Sequence, residues 1–271
     1  MIKIVPLSSK NNVKGKTKIT LNNIEIGGNR LTIIAGPCSV ESREQIIDIA
    51  KYIKKTGGSV LRGGAFKPRT SPYSFRGLGR VALEYLLEAK KLTELPVVSE
   101  IMNTNELEYM YDYVDIFQVG SRNMYNYDLL EALGAQNKPV LLKRGLCASV
   151  EEFLLAAEYI LLRGNNNVIL CERGIRTFET STRNTLDIGS IPVLKEKTHL
   201  PIIVDPSHAA GNKNYVISLT LAAIAAGADG IMLEVHNNPE KALSDGEQSL
   251  DYNMFENLII KINETFRNII I

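Results

Sequence analysis

Only three cysteines, Cys38, Cys147 and Cys171, occur in the 271 residues, and no export signal accompanies them. A sparse, odd-numbered set argues against a disulfide framework. The opening stretch MIKIVPLSSKNNVKGK has no apolar segment of the signal-peptide kind. Nor does any later run approach the roughly 18 apolar residues of a membrane span. A cytoplasmic location and no membrane partner are therefore expected. Charge of one sign is also missing: 31 Lys plus Arg stand against 30 Asp plus Glu, a net +1. No global field attracts nucleic acid, so any anion site must be local. Internal repeats, low-complexity tracts and composition breaks are absent too, which leaves a single domain to be read.

What remains is a regular alternation. Short β-branched apolar runs fall at Leu31–Ala35, Ser59–Gly63, Pro96–Glu100, Asp115–Val119, Pro139–Lys143, Asn167–Glu172, Pro201–Asp205 and Gly230–Glu234. Helical periods separate them, at Ser42–Thr56, Arg80–Thr93, Thr104–Tyr111, Tyr127–Gly134, Ser149–Arg163, a short stretch Ile191–Lys197, Asn214–Gly227 and a closing Tyr252–Asn268. Eight strand–helix units in about 235 residues predict an α/β fold, a single (β/α)8 TIM barrel spanning 31–271. A doubly wound open sheet is the alternative. Residues 1–30 form an N-terminal extension, in which Thr17–Leu21 and Ile24–Ile26 around Asn22-Asn23 predict a β-hairpin capping the barrel's N-terminal mouth.

In such barrels chemistry sits where the strands end. The first strand is followed by Gly-Pro-Cys38-Ser39 and the second by Arg62, Lys67, Arg69 and Thr70; the third ends in Glu100. The fourth leads to Gly120-Ser121-Arg122, and the fifth ends in Lys143-Arg144, the sixth in Glu172-Arg173, the seventh in Asp205-Pro-Ser-His208 and the eighth in Glu234. One charge after a strand is usually a solvated loop residue. Eight polar endings on one rim are a site.

Sorted by chemistry, the rim divides into two sets. Arg62, Lys67, Arg69, Arg122, Lys143 and Arg173 would repel one another unless anions filled the opening, and a set this large suggests more than one phosphate-bearing ligand. Surface ion pairs with Glu41, Glu100 and Glu172 are the bland alternative. Gly120 and Ser121 can add backbone donors to an anion. Cys38, His208, Glu234 and Asp245 form the second set, a thiol, an imidazole and two carboxylates that suit a divalent transition ion. Their spacing matches no standard metal motif; barrel closure would bring Cys38 near Glu234, yet a buried Cys and a loop His remain an equal reading. His199 reads as a surface residue at the opposite mouth, His236 as a packed loop residue, and Cys147 and Cys171 as small apolar residues.

The ordered segments Ile34-Ala-Gly-Pro-Cys-Ser, Leu61-Arg-Gly-Gly-Ala-Phe-Lys-Pro-Arg-Thr-Ser, Gln118-Val-Gly-Ser-Arg-Asn-Met, Leu142-Lys-Arg-Gly, Cys171-Glu-Arg-Gly, Val204-Asp-Pro-Ser-His, Ile231-Met-Leu-Glu-Val-His and Ala242-Leu-Ser-Asp-Gly closely resemble the 3-deoxy-D-arabino-heptulosonate 7-phosphate (DAHP) synthases, in the subfamily related to 3-deoxy-manno-octulosonate 8-phosphate synthase. The similarity runs from about Thr20 to about Ile262.

That resemblance implies the first step of the shikimate pathway, condensation of phosphoenolpyruvate with erythrose 4-phosphate. It implies that Arg62, Lys67, Arg122, Lys143 and Arg173, with Ser121 beside them, hold phosphoenolpyruvate. Arg69 and Thr70 hold the aldose. Cys38, His208, Glu234 and Asp245 bind one divalent metal ion per subunit, with Mn2+, Fe2+, Co2+ and Zn2+ all compatible. Lys67 is the expected proton donor and Glu100 the expected water-orienting group. Lys67-Pro-Arg-Thr70 separates this reading from the octulosonate enzyme, which has Ala-Asn-Arg after its lysine and uses arabinose 5-phosphate; a non-catalytic sugar-phosphate-binding barrel is the third reading. The family further implies a homotetramer and admits a noncovalent chorismate mutase partner. With only about 30 residues ahead of the first strand, no dedicated regulatory domain is expected there.

Overall fold

A computed structural model describes residues 5–68, 71 and 73–266. Arg69, Thr70 and the end of the closing helix, at 267 and 268, lie outside the described residues. The first two strands, β1 (Ile19–Leu21) and β2 (Ile24–Ile26), pair antiparallel across a turn in which Asn22 takes φ 51°. Eight parallel strands then close on themselves: β3 (Thr32–Gly36), β4 (Val60–Arg62), β5 (Val97–Ile101), β6 (Ile116–Val119), β7 (Val140–Lys143), β8 (Val168–Glu172), β9 (Ile202–Val204) and β10 (Gly230–Glu234). Strand β10 pairs with β3 from Gly230↔Thr32 to Glu234↔Gly36. That closure excludes the open doubly wound sheet.

Helices α1 (Arg43–Thr56), α2 (Arg80–Thr93), α3 (Leu107–Met110), α4 (Tyr127–Gly134), α5 (Val150–Leu162) and α6 (Ser190–Lys197) follow successive strands. Two helices, α7 (Pro206–Ala210) and α8 (Lys213–Ala225), follow β9, and α9 (Tyr252–Thr265) follows β10. Local chemistry sets the starts: Ser42 Oγ accepts from Gln45 N at 3.1 Å, and Ser149 with Glu152 forms a capping box. The helix expected at Thr104–Tyr111 is instead a 3-10 turn, Thr104–Glu106, running into the single turn of α3. Helix α7 is an addition to the expected elements.

Every barrel strand is buried on both faces, which is why each reads as a continuous apolar run. Alternate residues divide between two cores. Ile33, Leu61, Phe117 and Leu142 pack outward against the helices. Ile34, Val60, Val98, Ile116, Leu141, Ile169, Ile203 and Met232 fill the interior, and Ile19 and Ile26 of the hairpin join that inner cluster.

His199 is not the expected surface residue. It is buried, with Nε2 2.8 Å from Leu7 O and Nδ1 2.6 Å from Thr17 Oγ1. A carbonyl only accepts, so Nε2 carries the proton and Nδ1 accepts from the hydroxyl. With Glu158 accepting from Leu7 N and Ser8 N at 3.1 and 2.6 Å, the ring fastens the N-terminal segment to the barrel. Among the described residues no helix is long and apolar enough to cross a membrane.

Candidate active site

A cavity of about 410 Å3 opens at the C-terminal strand ends. Arg62, Lys67, Glu100, Ser121, Arg122, Lys143, Arg173, His208 and Asp245 line it, so the rim residues read from the sequence meet in one place. Cys38 and Glu234 lie beneath, at 1% and 0% exposure. Gly36 makes this geometry feasible at the end of β3: its φ is 152°, and a Cβ there would fall 1.9 Å from Arg62 O. The chain can therefore pass close to β4 before Cys38 turns inward.

Helix α7 explains His208. Asp205 caps it, with Oδ1 accepting from His208 N at 3.0 Å, and Pro206 occupies the first turn. Asp205 Oδ2 lies 2.8 Å from His208 Nδ1, close though poorly directed, and also receives Lys143 Nζ. The imidazole thus turns Nε2 toward Glu234 Oε1 at 3.5 Å and Asp245 Oδ2 at 3.9 Å. Cys38 Sγ donates to Asp245 Oδ2 at 3.2 Å and lies 2.8 Å from Ser244 Oγ. The ligating atoms of Cys38, Glu234 and Asp245 all fall within 4.8 Å of one another.

Burial governs the protonation states. It pushes the Cys38 thiol up to about 12, helped by the Glu234 carboxylate, and pushes His208 down to about 4 against the pull of Asp205 and Glu234. Burial would raise Glu234, but His208 and Arg62 hold it below the usual carboxylate range. At neutral pH the imidazole lone pair is therefore free to bind and the thiol still carries its proton.

These residues fit a divalent cation. Glu234 Oε1 lies 3.1 Å from Arg62 Nη2 and 3.5 Å from His208 Nε2, yet it is buried and receives no well-directed hydrogen bond. A buried acceptor without a directed donor is costly, and a cation among a thiol, an imidazole and two carboxylates relieves it.

The cations above are not simply repelling one another. Arg62 pairs with Glu234 and Lys143 with Asp205. What the ion pairs leave over points to anions: Arg62 Nε and Nη1 and Arg173 Nη1 are buried without a hydrogen-bond partner among the described residues. Burial lowers Arg173 without discharging it, and an anion against it would offset the desolvation of the guanidinium. Arg144 faces the other way and binds Glu172 and Asp187 at 2.9 and 2.8 Å. Of the bland pairings, Glu172 goes to Arg144, while Glu41 lies 3.4 Å from His236 outside the cavity. Glu100 lines the cavity itself, and a Cβ on Gly120 would reach within 2.0 Å of its Oε1.

Four further residues belong to the site. Arg176 and Arg183 line the cavity from the loop after β8, where no periodicity marks them. Gln248 donates through Nε2 to Glu234 Oε2 at 2.5 Å. Asp205 carries a readable signal, since Asp-Pro before a short helix is an N-cap with proline at N1. Cys171 is buried in the inner core, whereas Cys147 is exposed.

Fold and site together define a class: a (β/α)8-barrel enzyme whose strand ends gather cations over a thiol, imidazole and carboxylate cluster. Residues 10–270 match the model of the DAHP synthetase I family, and the chain belongs to that family. It is 56% identical over 243 residues to a phospho-2-dehydro-3-deoxyheptonate aldolase of Thermotoga maritima, covering 90% of this chain and 72% of the relative. A 2-dehydro-3-deoxyphosphooctonate aldolase of Syntrophobacter fumaroxidans is 31% identical over 260 residues, 89% of each chain. The crystal structure of the Thermotoga maritima phospho-2-dehydro-3-deoxyheptonate aldolase (DAHP synthase) superposes with a TM-score of 0.95 at 52% identity, over 97% of this chain and 77% of that one.

Proposed function

We propose that the chain is a 3-deoxy-7-phosphoheptulonate synthase, joining phosphoenolpyruvate to erythrose 4-phosphate with water to give DAHP and inorganic phosphate. One observation carries this reading: the cavity lined by Arg62, Lys67, Arg122, Lys143 and Arg173 is lined also by His208 and Asp245, which lie against Glu234 and Cys38 beneath it. The Thermotoga maritima relative, at 56% identity, supports the heptulosonate over the octulosonate reaction.

The buried guanidiniums and ammoniums hold the carboxylate and phosphate of phosphoenolpyruvate as forks and point charges. Arg69 and Thr70 hold the aldose phosphate. Fixing both partners turns a two-body encounter into an oriented one, with C3 of the enol facing the aldehyde carbon. Cys38, His208, Glu234 and Asp245 would hold a divalent ion, which when bound would supply a Lewis acid for the aldehyde oxygen. As the C3–C1 bond forms, that oxygen takes a proton, and Lys67, which lines the cavity, gives it. Its Nζ donates to Cys38 O at 3.1 Å. Burial disfavours the Lys67 ammonium, but its polar neighbours Cys38, Glu100 and Glu234 together outweigh it and raise its pKa. Water adds to C2 on the side of Glu100, and the C–O bond to phosphate then breaks. Arg183 lines the same cavity.

The deciding assay follows phosphoenolpyruvate loss and phosphate release with Mn2+ and either erythrose 4-phosphate or arabinose 5-phosphate, beside a chelated control. Turnover is expected with erythrose 4-phosphate and lost on chelation. Preference for the five-carbon sugar would make the octulosonate reading correct, and silence with both would leave a binding barrel. Homotetramer formation, read by sedimentation, and a noncovalent chorismate mutase partner complete the proposed reading.

A further inference from the structure

Each carboxylate of the cluster is divided between two sets of contacts. Glu234 turns Oε1 toward His208 Nε2 at 3.5 Å, while its Oε2 accepts from Gln248 Nε2 at 2.5 Å. Asp245 turns Oδ2 toward Cys38 Sγ at 3.2 Å, while its Oδ1 accepts from Arg183 Nη1 at 3.3 Å. Gln248 joins the two outer oxygens, because its own Oε1 accepts from Arg183 Nη1 at 2.8 Å. Its side chain is 2% exposed and used at both ends. The amide can face only one way, with the donor toward the carboxylate and the acceptor toward the guanidinium.

We propose that Gln248 and Arg183 are positioning residues for the divalent cation site, holding the outer oxygen of Glu234 and of Asp245 so that each carboxylate offers one oxygen toward Cys38 and His208. This rests on the metal reading above. A carboxylate free to rotate must give up that freedom when a cation binds; one already held gives up less, and a hydrogen bond to the outer oxygen keeps the inner one aimed. Asp245 begins the turn Gly246–Gln248 with φ 52°, so the ligand and its positioning amide lie on one short rigid segment. Arg183 comes from the cavity wall, and it therefore ties that segment to the anion-binding face.

The test is Mn2+ affinity of the full chain stripped with chelator, read from the EPR signal of free Mn2+, for the parent, Gln248→Met, Arg183→Lys and the double variant. Lysine keeps the charge beside Asp245, so its effect reads geometry alone. Thermal unfolding of each metal-free protein runs alongside. Gln248→Met is expected to bind on the order of 10–100-fold more weakly while the metal-free protein stays folded at the assay temperature. The double variant should lose less than the product of the single losses, because both residues act through one bridge. Parent-like affinity in Gln248→Met, or losses that multiply, overturns the inference. So does a fall in metal-free stability that accounts for the lost affinity, which would make the bridge merely structural. If Gln248→Met does not fold, Arg183→Lys decides by the same comparison. Failure of the parent itself to bind Mn2+ would instead overturn the metal reading beneath it.

Discussion

Replacing Arg144 with methionine separates a cation of the barrel wall from the cavity-lining cation next to it. Arg144 and Lys143 are adjacent at the end of β7, and both are nearly inaccessible. Lys143 lines the cavity, while Arg144 spends its guanidinium on the barrel wall, donating to Glu172 Oε2 at 2.9 Å, Asp187 Oδ2 at 2.8 Å and Ala148 O at 2.9 Å. Glu172 is 0% exposed and would keep only Gly174 N, at 2.7 Å, as a donor. Removing one partner of a buried pair costs about 3–5 kcal/mol. Asp187, 28% exposed at its side chain, is rehydrated and adds little. With about 2–4 °C per kcal/mol for a large domain, Arg144→Met should lower Tm by about 10 °C, and by a matching amount in urea. Adding Glu172→Gln removes the stranded charge and should recover about half the loss, on the order of 2 kcal/mol. At temperatures where Arg144→Met stays folded, it should bind phosphoenolpyruvate like the parent, whereas Lys143→Met should not. A Tm within experimental scatter of the parent, or a further fall on adding Glu172→Gln, would refute this account of the pair.

Two other outcomes follow from the site. Between about pH 6 and 8, binding of Mn2+ to the metal-free protein should release one proton, because Cys38, pushed up to about 12, must ionise while His208, pushed down to about 4, is already neutral. Apparent affinity should then rise about tenfold per pH unit, read by calorimetry in buffers of different ionisation enthalpy; an affinity that is flat with pH contradicts the assignment of Cys38. Gly120→Ala places a Cβ where Glu100 Oε1 now sits, 2.0 Å away, and must push that carboxylate aside. Turnover should fall on the order of 10²-fold with Mn2+ affinity unchanged, and an unaltered kcat would take Glu100 out of the chemistry.

The strands were legible because each barrel strand is buried on both faces, so its whole length reads as apolar and its polar end marks the rim. Helix α7 was not, since five residues carry no periodicity, although Asp205-Pro206 announces a cap. The metal-capable quartet was visible only through barrel closure, which sets β10 beside β3 and so Glu234 near Cys38. Gln248 and Arg183 could not be paired from the sequence, because a cavity-wall loop and a turn after β10 meet only in three dimensions. His199 misled for a related reason: position at the opposite mouth suggests solvent, but the N-terminal segment folds over the ring and buries it.

The two sets that chemistry separates in the sequence act as one electrostatic unit in the fold. Arg62, Lys67, Lys143 and Arg173 line the same cavity as Glu100 and Asp245, with Glu234 and Asp205 paired directly to Arg62 and Lys143. With Arg122, Arg176 and Arg183 on the same lining, seven cations among the described residues face these four carboxylates, so the mutual repulsion of the cations is offset only in part before any ligand arrives. A divalent cation that displaces the Cys38 proton shifts this balance by one positive charge. It would also compete with Arg62 for Glu234 Oε1, leaving that guanidinium with more of its donors unsatisfied among the described residues. Both effects favour an incoming phosphate or carboxylate, so metal loading and anion binding should reinforce each other through Arg62.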